Sequence, residues 1–230
     1  MASRPVFIAL GEPTHLVGEV PIEFSWNPGF APIQKKKNVI ALHEAALKKG
    51  MMPLLEVSTK SEEKLGQRLS AFNLKIATPI GNISIESAYQ GSKVFKDGGP
   101  YADIYEMNSW DAKKDPRLKD SGPLTGFDFF CQKWPLIPKT AFYDWLYLSA
   151  LKPHQDFLKR LFNYQGFTDI EFNPEKSINC QARTCALLVS LIKLDALNAA
   201  LRSQSDFISM VASDSFNQAH SEDLRQHVLL

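Results

Sequence analysis

The chain has 230 residues, 44% of them apolar and 11% aromatic, with 26 basic against 25 acidic side chains and a net charge of +1. That is enough apolar material for one substantial core and excludes a disordered chain. The near-zero net charge excludes a global positive field, so any contact with nucleic acid has to be local. Cys131, Cys180 and Cys185 form no CxxC pair and read as reduced, packed thiols of a cytoplasmic protein. The histidines are scattered without metal-ligand spacing, so neither a metal nor a cofactor is expected. No charged leader precedes an apolar run at the start, and no stretch approaches the ~20 apolar residues of a bilayer span. A soluble intracellular protein without membrane contact is the expectation.

In chain order, residues 4–8 and 20–26 read as short strands, and residues 25–30 break the pattern as a turn ending on Phe30. Lys35, Lys36 and Lys37 lead into a helix over 39–49 that Gly50 ends. The lysines read either as a solvated edge or as a contact to a phosphate backbone. A strand is expected at 54–59, another over 69–76, and a Pro-Ile-Gly-Asn turn at 79–82. Ser84 is placed to cap a helix running over 85–97, which the Gly-Gly-Pro at 98–100 stops. A further helix starts near Tyr101, and residues 110–126 read as surface loop or short helical turns. Residues 139–151 are apolar all round a helix and therefore buried. Pro153 interrupts, and a helix resumes over 156–164. FTDIEF at 167–172 alternates as a strand, and 178–194 is another buried helix. The tail beyond Ser213 is polar. The fold class this implies is α+β with helices dominant. A small sheet from 54–59, 69–76 and 167–172 packs on the helices at 85–97, 139–151 and 178–194. Residues 1–53 form an N-terminal extension, 54–212 a catalytic domain, and 213–230 a tail.

The segment ISIESAYQGSKVF at 83–95 carries the chemistry. On a helix, Glu86, Gln90 and Lys93 share one polar stripe with Tyr89 at its edge, bringing together a carboxylate, an amide, an amine and an aromatic ring. Such groups suit gripping a ribosyl unit and attacking its anomeric carbon; an ordinary solvated helix face has the same spacing. Asp169 and Glu171 alternate onto one face of their strand, as a site or a solvated edge. Phe72, Tyr143 and Trp134 are candidates for stacking on a base, or for core packing.

The order of these motifs resembles the NADAR superfamily, named for NAD and ADP-ribose chemistry. Leu69-Ser70-Ala71-Phe72 is similar to the family's Phe-Leu-Ser-Asn-Phe element, with Ala71 in place of Asn. Glu86 to Lys93 matches its Glu-x-x-Tyr-Gln-x-x-Lys motif closely. Residues 112–115 resemble its Ala-x-x-Gly-Arg element without the Gly and Arg, and Asn173-Pro174-Glu175-Lys176 stands where a glycine-rich loop is usual. The resemblance covers about 54–200. SWNPGF, PKTAFYDWLYLSAL and FTDIEFNPEKSINCQA extend it to the subgroup of NADAR antitoxins paired with DarT-type toxins, which attach ADP-ribose to guanine in DNA. It implies an N-glycosidase that removes ADP-ribose from guanine, with ADP-ribosylated DNA as substrate and the toxin as a further partner. Its site would comprise Lys93, Glu86 and Asp169 as catalytic residues. Gln90, Tyr89, Ser70, Phe72, Trp134 and Asn179 would contact the substrate. Two roles are open for Lys93: attack as a neutral amine, or a charge clamp while Glu86 does the chemistry. An N-glycosidase for small phosphorylated metabolites and a non-catalytic ADP-ribose or toxin binder are the competing functions.

Overall fold

The computed structural model describes residues 1–29, 31–175 and 177–212. Phe30, Lys176 and the tail expected at 213–230 lie outside the described residues. The main sheet begins with an antiparallel hairpin of β1 (Ala2–Glu12) and β2 (His15–Phe24), in register at Val6 and Val20. Helix α1 (Pro32–Leu47) follows, then β3 (Leu54–Glu56) and α2 (Lys64–Leu69). Strands β4 (Lys75–Thr78) and β5 (Gly81–Ser84) form a separate two-stranded sheet that delivers the chain into α3 (Ile85–Gly91). After β6 (Lys93–Phe95) come a 3-10 turn at Ala102–Glu106, α4 (Ser109–Lys114) and α5 (Arg117–Asp120). Strands β7 (Leu124–Phe129) and β8 (Gln132–Trp134) join β6 in a three-stranded sheet. The chain continues through α6 (Ala141–Leu151), α7 (Gln155–Leu161) and β9 (Gly166–Thr168). The final helices are α8 (Gln181–Lys193), α9 (Leu197–Ala200) and α10 (Gln204–Ala212). The fold is α+β.

The main sheet runs β2-β1-β9-β3, with β3 and β9 parallel and Leu55 opposite Phe167. Side chains alternate across it. Val6, Ile22, Phe24 and Leu54 face α1, where Val39, Leu42 and Ala46 cover them. Phe7, Leu55 and Phe167 face the other way, into a core built on α6 and α8. Every residue of α8 from Gln181 to Leu191 is buried. Within that core Arg183 and Asp144 pair at 3.0 Å, and the Thr184 hydroxyl donates to Asp144.

Several expected boundaries move, each for a physical reason. Helix α1 starts at Pro32, a residue well suited to a first helical turn, and takes in all three lysines. Residues 69–76 are not one strand of the main sheet: α2 ends at Leu69, β4 starts at Lys75, and β1 takes the expected place beside β9. The strand at 167–172 stops at Thr168, because Ile170 turns its N–H onto the Glu56 carboxylate. Strands β7 and β8 were not foreseen, and the two-residue turn between them holds Phe130 and Cys131 at positive φ. Cys131 is therefore exposed, while Cys180 and Cys185 are packed as expected.

The largest change concerns the helix expected over 85–97. Ser84 caps it, accepting from the Ser87 N–H at 3.0 Å, but the helix ends at Gly91. Its last carbonyls are claimed by tertiary donors: Tyr101 N–H bonds Gly91 O at 2.8 Å and Asp128 N–H bonds Ser92 O at 2.7 Å. Lys93 and Val94 then pair with Phe127 and Gly126 of β7. Sheet pairing of a Val-Phe segment outcompetes another helical turn. Gly91 is required here, since a Cβ would lie 2.6 Å from the Tyr105 ring.

A candidate active-site cleft around Lys93

A cleft of about 780 Å³ opens beside α3, within the range typical of small-molecule sites. Ser70, Phe72, Glu86, Tyr89, Gln90, Lys93, Asp169 and Asn179 all line it. Those residues come from four separate segments of the chain, which thus converge on one cavity. Lys93 reaches it from β6, not from the helical stripe. Glu86 and Gln90 are each only 7% exposed, which excludes a solvated helix face.

Glu86 and Gln90 lie one helical turn apart, and the Gln90 amide donates to Glu86 Oε1 at 2.9 Å. The other end of that amide, Gln90 Oε1, is buried without a hydrogen-bond partner. So is Asn179 Oδ1, while Asn179 Nδ2 donates to the Tyr89 hydroxyl at 2.6 Å. Both residues line the cleft, and each carries a buried acceptor without a donor, which a sugar hydroxyl would satisfy. Asn179 lies ahead of α8 rather than at its first turn.

Lys93 Nζ sits 4.9 Å from the centre of the Tyr89 ring. Burial pushes the amine down from its ordinary value of 10.5 to about 8, against the carboxylate of Glu86, which favours the charged form; nearby Lys113 lowers it further. Desolvation wins over the carboxylate. Burial also drives the Tyr89 and Tyr143 phenols up, so both stay protonated.

Asp169 is 8% exposed, and its carboxyl is pushed well above the usual carboxylate range, chiefly by burial and then by the charge of Glu56. Glu56 was not singled out in the sequence. It accepts from Ser58 Oγ at 2.6 Å, Thr168 Oγ1 at 2.7 Å and Ile170 N–H at 2.9 Å, gripping the chain on both sides of Asp169. Burial raises its own carboxyl as well. His43 of α1 bonds Thr168 Oγ1 at 2.8 Å, tying the N-terminal segment to the same clamp. Gln181 hydrogen-bonds Asp169, and its Oε1 accepts from Ala71 N–H at 2.7 Å.

Trp134 does not line the cleft. It is 2% exposed and packs against Phe142, Trp145 and Phe207. The register explains this: Phe127 lies opposite both Lys93 and Trp134, so its side chain stands between them. The ring that lies against the Lys93 amine is that of Tyr89. Lys35 is also engaged, pairing with Glu171 at 3.5 Å and lying 5.7 Å from the Trp26 ring.

A family model for the DarT1-associated NADAR antitoxin matches residues 2–221. The chain belongs to that family. Among curated proteins no relative matches. The family model spans the β1–β2 hairpin and α1 of the antitoxin as well as the cleft, in keeping with the sheet that the hairpin shares with β3 and β9. Among the described residues of the antitoxin, no helix is long and apolar enough to cross a membrane.

Proposed function

We propose that this antitoxin is an ADP-ribosyl hydrolase that removes ADP-ribose from guanine bases of DNA in the cytoplasm, reversing the modification made by a DarT-type toxin. The observation that carries the reading is the Lys93 amine, held at about pKa 8 on the wall of a cleft it shares with Glu86 and Gln90. At pH 7.5 about a quarter of such amines are neutral, against ~0.1% for an ordinary lysine.

In this mechanism the neutral Lys93 Nζ attacks the anomeric carbon of the ribose that carries the base. The bond from that carbon to the guanine nitrogen breaks, and its electron pair leaves with the base. Asp169, whose carboxyl is pushed up by burial and by the charge of Glu56, gives the departing nitrogen a proton. The ammonium formed on Lys93 returns a proton to Asp169. Glu86 stabilises the positive charge that develops on the sugar, and Gln90 orients Glu86 while accepting from a ribose hydroxyl. The ribose ring oxygen then leaves the anomeric carbon with the bonding electron pair and takes up the proton of the Lys93 nitrogen, giving an imine on Lys93 and a hydroxyl on the opened sugar. Water adds to the imine, releasing ADP-ribose and the free amine.

The test is release of ADP-ribose by the purified full chain from an oligonucleotide carrying ADP-ribose on one guanine. The strand is expected to return to the mass of the unmodified oligonucleotide, and Lys93→Ala is expected to leave it modified. A folded wild-type protein that leaves the modification in place would overturn the reading.

A further inference from the structure

Helix α4 has a division of faces that the catalytic reading does not use. Asn108 caps it, its Oδ1 accepting from the N–H groups of Trp110 and Asp111 at 3.1 Å each. Ser109 and Ala112 turn inward and are buried. Ser109 Oγ donates to Phe72 O at 3.0 Å, fixing the helix to the segment that carries Phe72. Positions 110, 113 and 114 fall together on the outer face. Trp110 is 56% exposed, yet it lines the cleft with Lys113 and Lys114. Its ring lies 4.8 Å from that of Phe72. Lys113 Nζ is 5.2 Å from the Phe72 ring centre, and Lys114 Nζ is 6.0 Å from that of Trp110.

An exposed indole beside a second aromatic ring, with two ammonium groups against their faces, is a pairing of stacking surface and phosphate charge. It stands at the cleft's solvent-exposed rim, whereas the groups suited to the reacting ribose are buried. A guanine drawn into the cleft from a strand leaves its neighbour unstacked. That neighbour needs an aromatic surface at the mouth and cations for the phosphate joining it to the target.

We propose that Trp110 and Phe72 form a stacking platform for the nucleotide flanking the modified guanine, with Lys113 and Lys114 on the adjoining phosphates. The platform makes a nucleic-acid strand, rather than a free nucleotide, the preferred substrate, and in this it rests on the hydrolase reading. Phe72 thereby serves the neighbouring base rather than the ADP-ribose itself. Trp110 contributes most of the exposed surface.

The test has two arms. In the first, wild type, Trp110→Ala, Trp110→Phe and Lys114→Ala are titrated with an unmodified, fluorescently labelled single-stranded oligonucleotide, which needs no turnover. Trp110→Ala is expected to weaken binding about tenfold, and Trp110→Phe to retain most of it, since base–aromatic stacking tolerates a change of ring. Lys114→Ala is expected to reduce the slope of log K against log salt by about 0.7. In the second, kcat/KM is compared on a modified oligonucleotide and on the modified mononucleotide. The loss in Trp110→Ala is expected to be about tenfold greater on the oligonucleotide. Unchanged binding of the strand, or an equal loss on both substrates, would overturn the platform, the latter placing the ADP group there instead. Failure of the hydrolase reading shows separately, as wild type binding the strand but releasing no ADP-ribose.

Discussion

Lys93 should titrate far below an ordinary lysine, and its neighbours should move that titration in opposite directions. Burial lowers the amine to about 8, with Glu86 raising it and Lys113 lowering it. A shift from 10.5 to about 8 increases the neutral fraction at pH 7.5 roughly 200-fold. The assay is competitive labelling of lysines with a small acylating reagent across pH, followed by peptide mass analysis of the Ser92-Lys93-Val94 segment. This reports the amine directly, free of other groups that shape a rate profile. The Lys93 labelling curve is expected to inflect near pH 8. Glu86→Gln removes the charge that favours the ammonium, so its inflection should fall. Lys113→Ala removes a like charge, so its inflection should rise. A wild-type inflection near 10.5, or shifts of the same sign in both variants, would refute the electrostatic account of the cleft.

Holding Lys93 at a depressed pKa costs stability. The unfolded chain binds more protons between pH 8 and 10.5, so this cost is full below pH 8 and disappears as pH rises through that window. Lys93→Met should therefore raise stability to denaturant by up to ~3 kcal/mol at pH 7, with the gain shrinking towards pH 10.5. His43, lowered by burial from 6.5 to about 4, contributes stability that is present above 6.5 and lost as pH falls to about 4. Its share is up to ~3 kcal/mol, and His43→Gln should flatten that part of the pH–stability curve measured by thermal unfolding. Gly91→Ala places a Cβ 2.6 Å from the Tyr105 ring, and should cost about 1–3 kcal/mol in denaturant melts.

Local signals in the sequence were reliable where local forces decide the structure. The Ser84 cap, the buried helices α6 and α8, and the strand at Leu54 are all recovered, because capping chemistry and continuous apolar runs need no distant partner. The end of α3 was not legible. Helical periodicity carries Glu86, Gln90 and Lys93 along one stripe, but pairing of β6 with β7, some 30 residues on, takes over at Lys93. Lys93 reaches the same cleft by a different route. Trp134 was misplaced for a related reason, since the intervening Phe127 is visible only once the register of β7 and β8 is known. Glu56 carried no motif at all. Its importance comes from the parallel pairing of β3 with β9, which sets a carboxylate against the residues on either side of Asp169. The outer face of α4 was readable in principle, from Trp110, Lys113 and Lys114 at helical spacing behind an Asn cap.

The claim that the Lys93 amine is the attacking group is tested most directly by trapping. Borohydride added during turnover on the modified oligonucleotide reduces an imine to a stable secondary amine. The account expects the protein to gain the ADP-ribose unit on the peptide containing Ser92-Lys93-Val94, and Lys93→Arg, run alongside, to be inactive because a guanidinium keeps the charge but cannot form the imine. An untrapped wild type together with a fully active Lys93→Arg would contradict it, leaving Lys93 as a charge clamp and the bond broken by carboxylate-assisted attack of water.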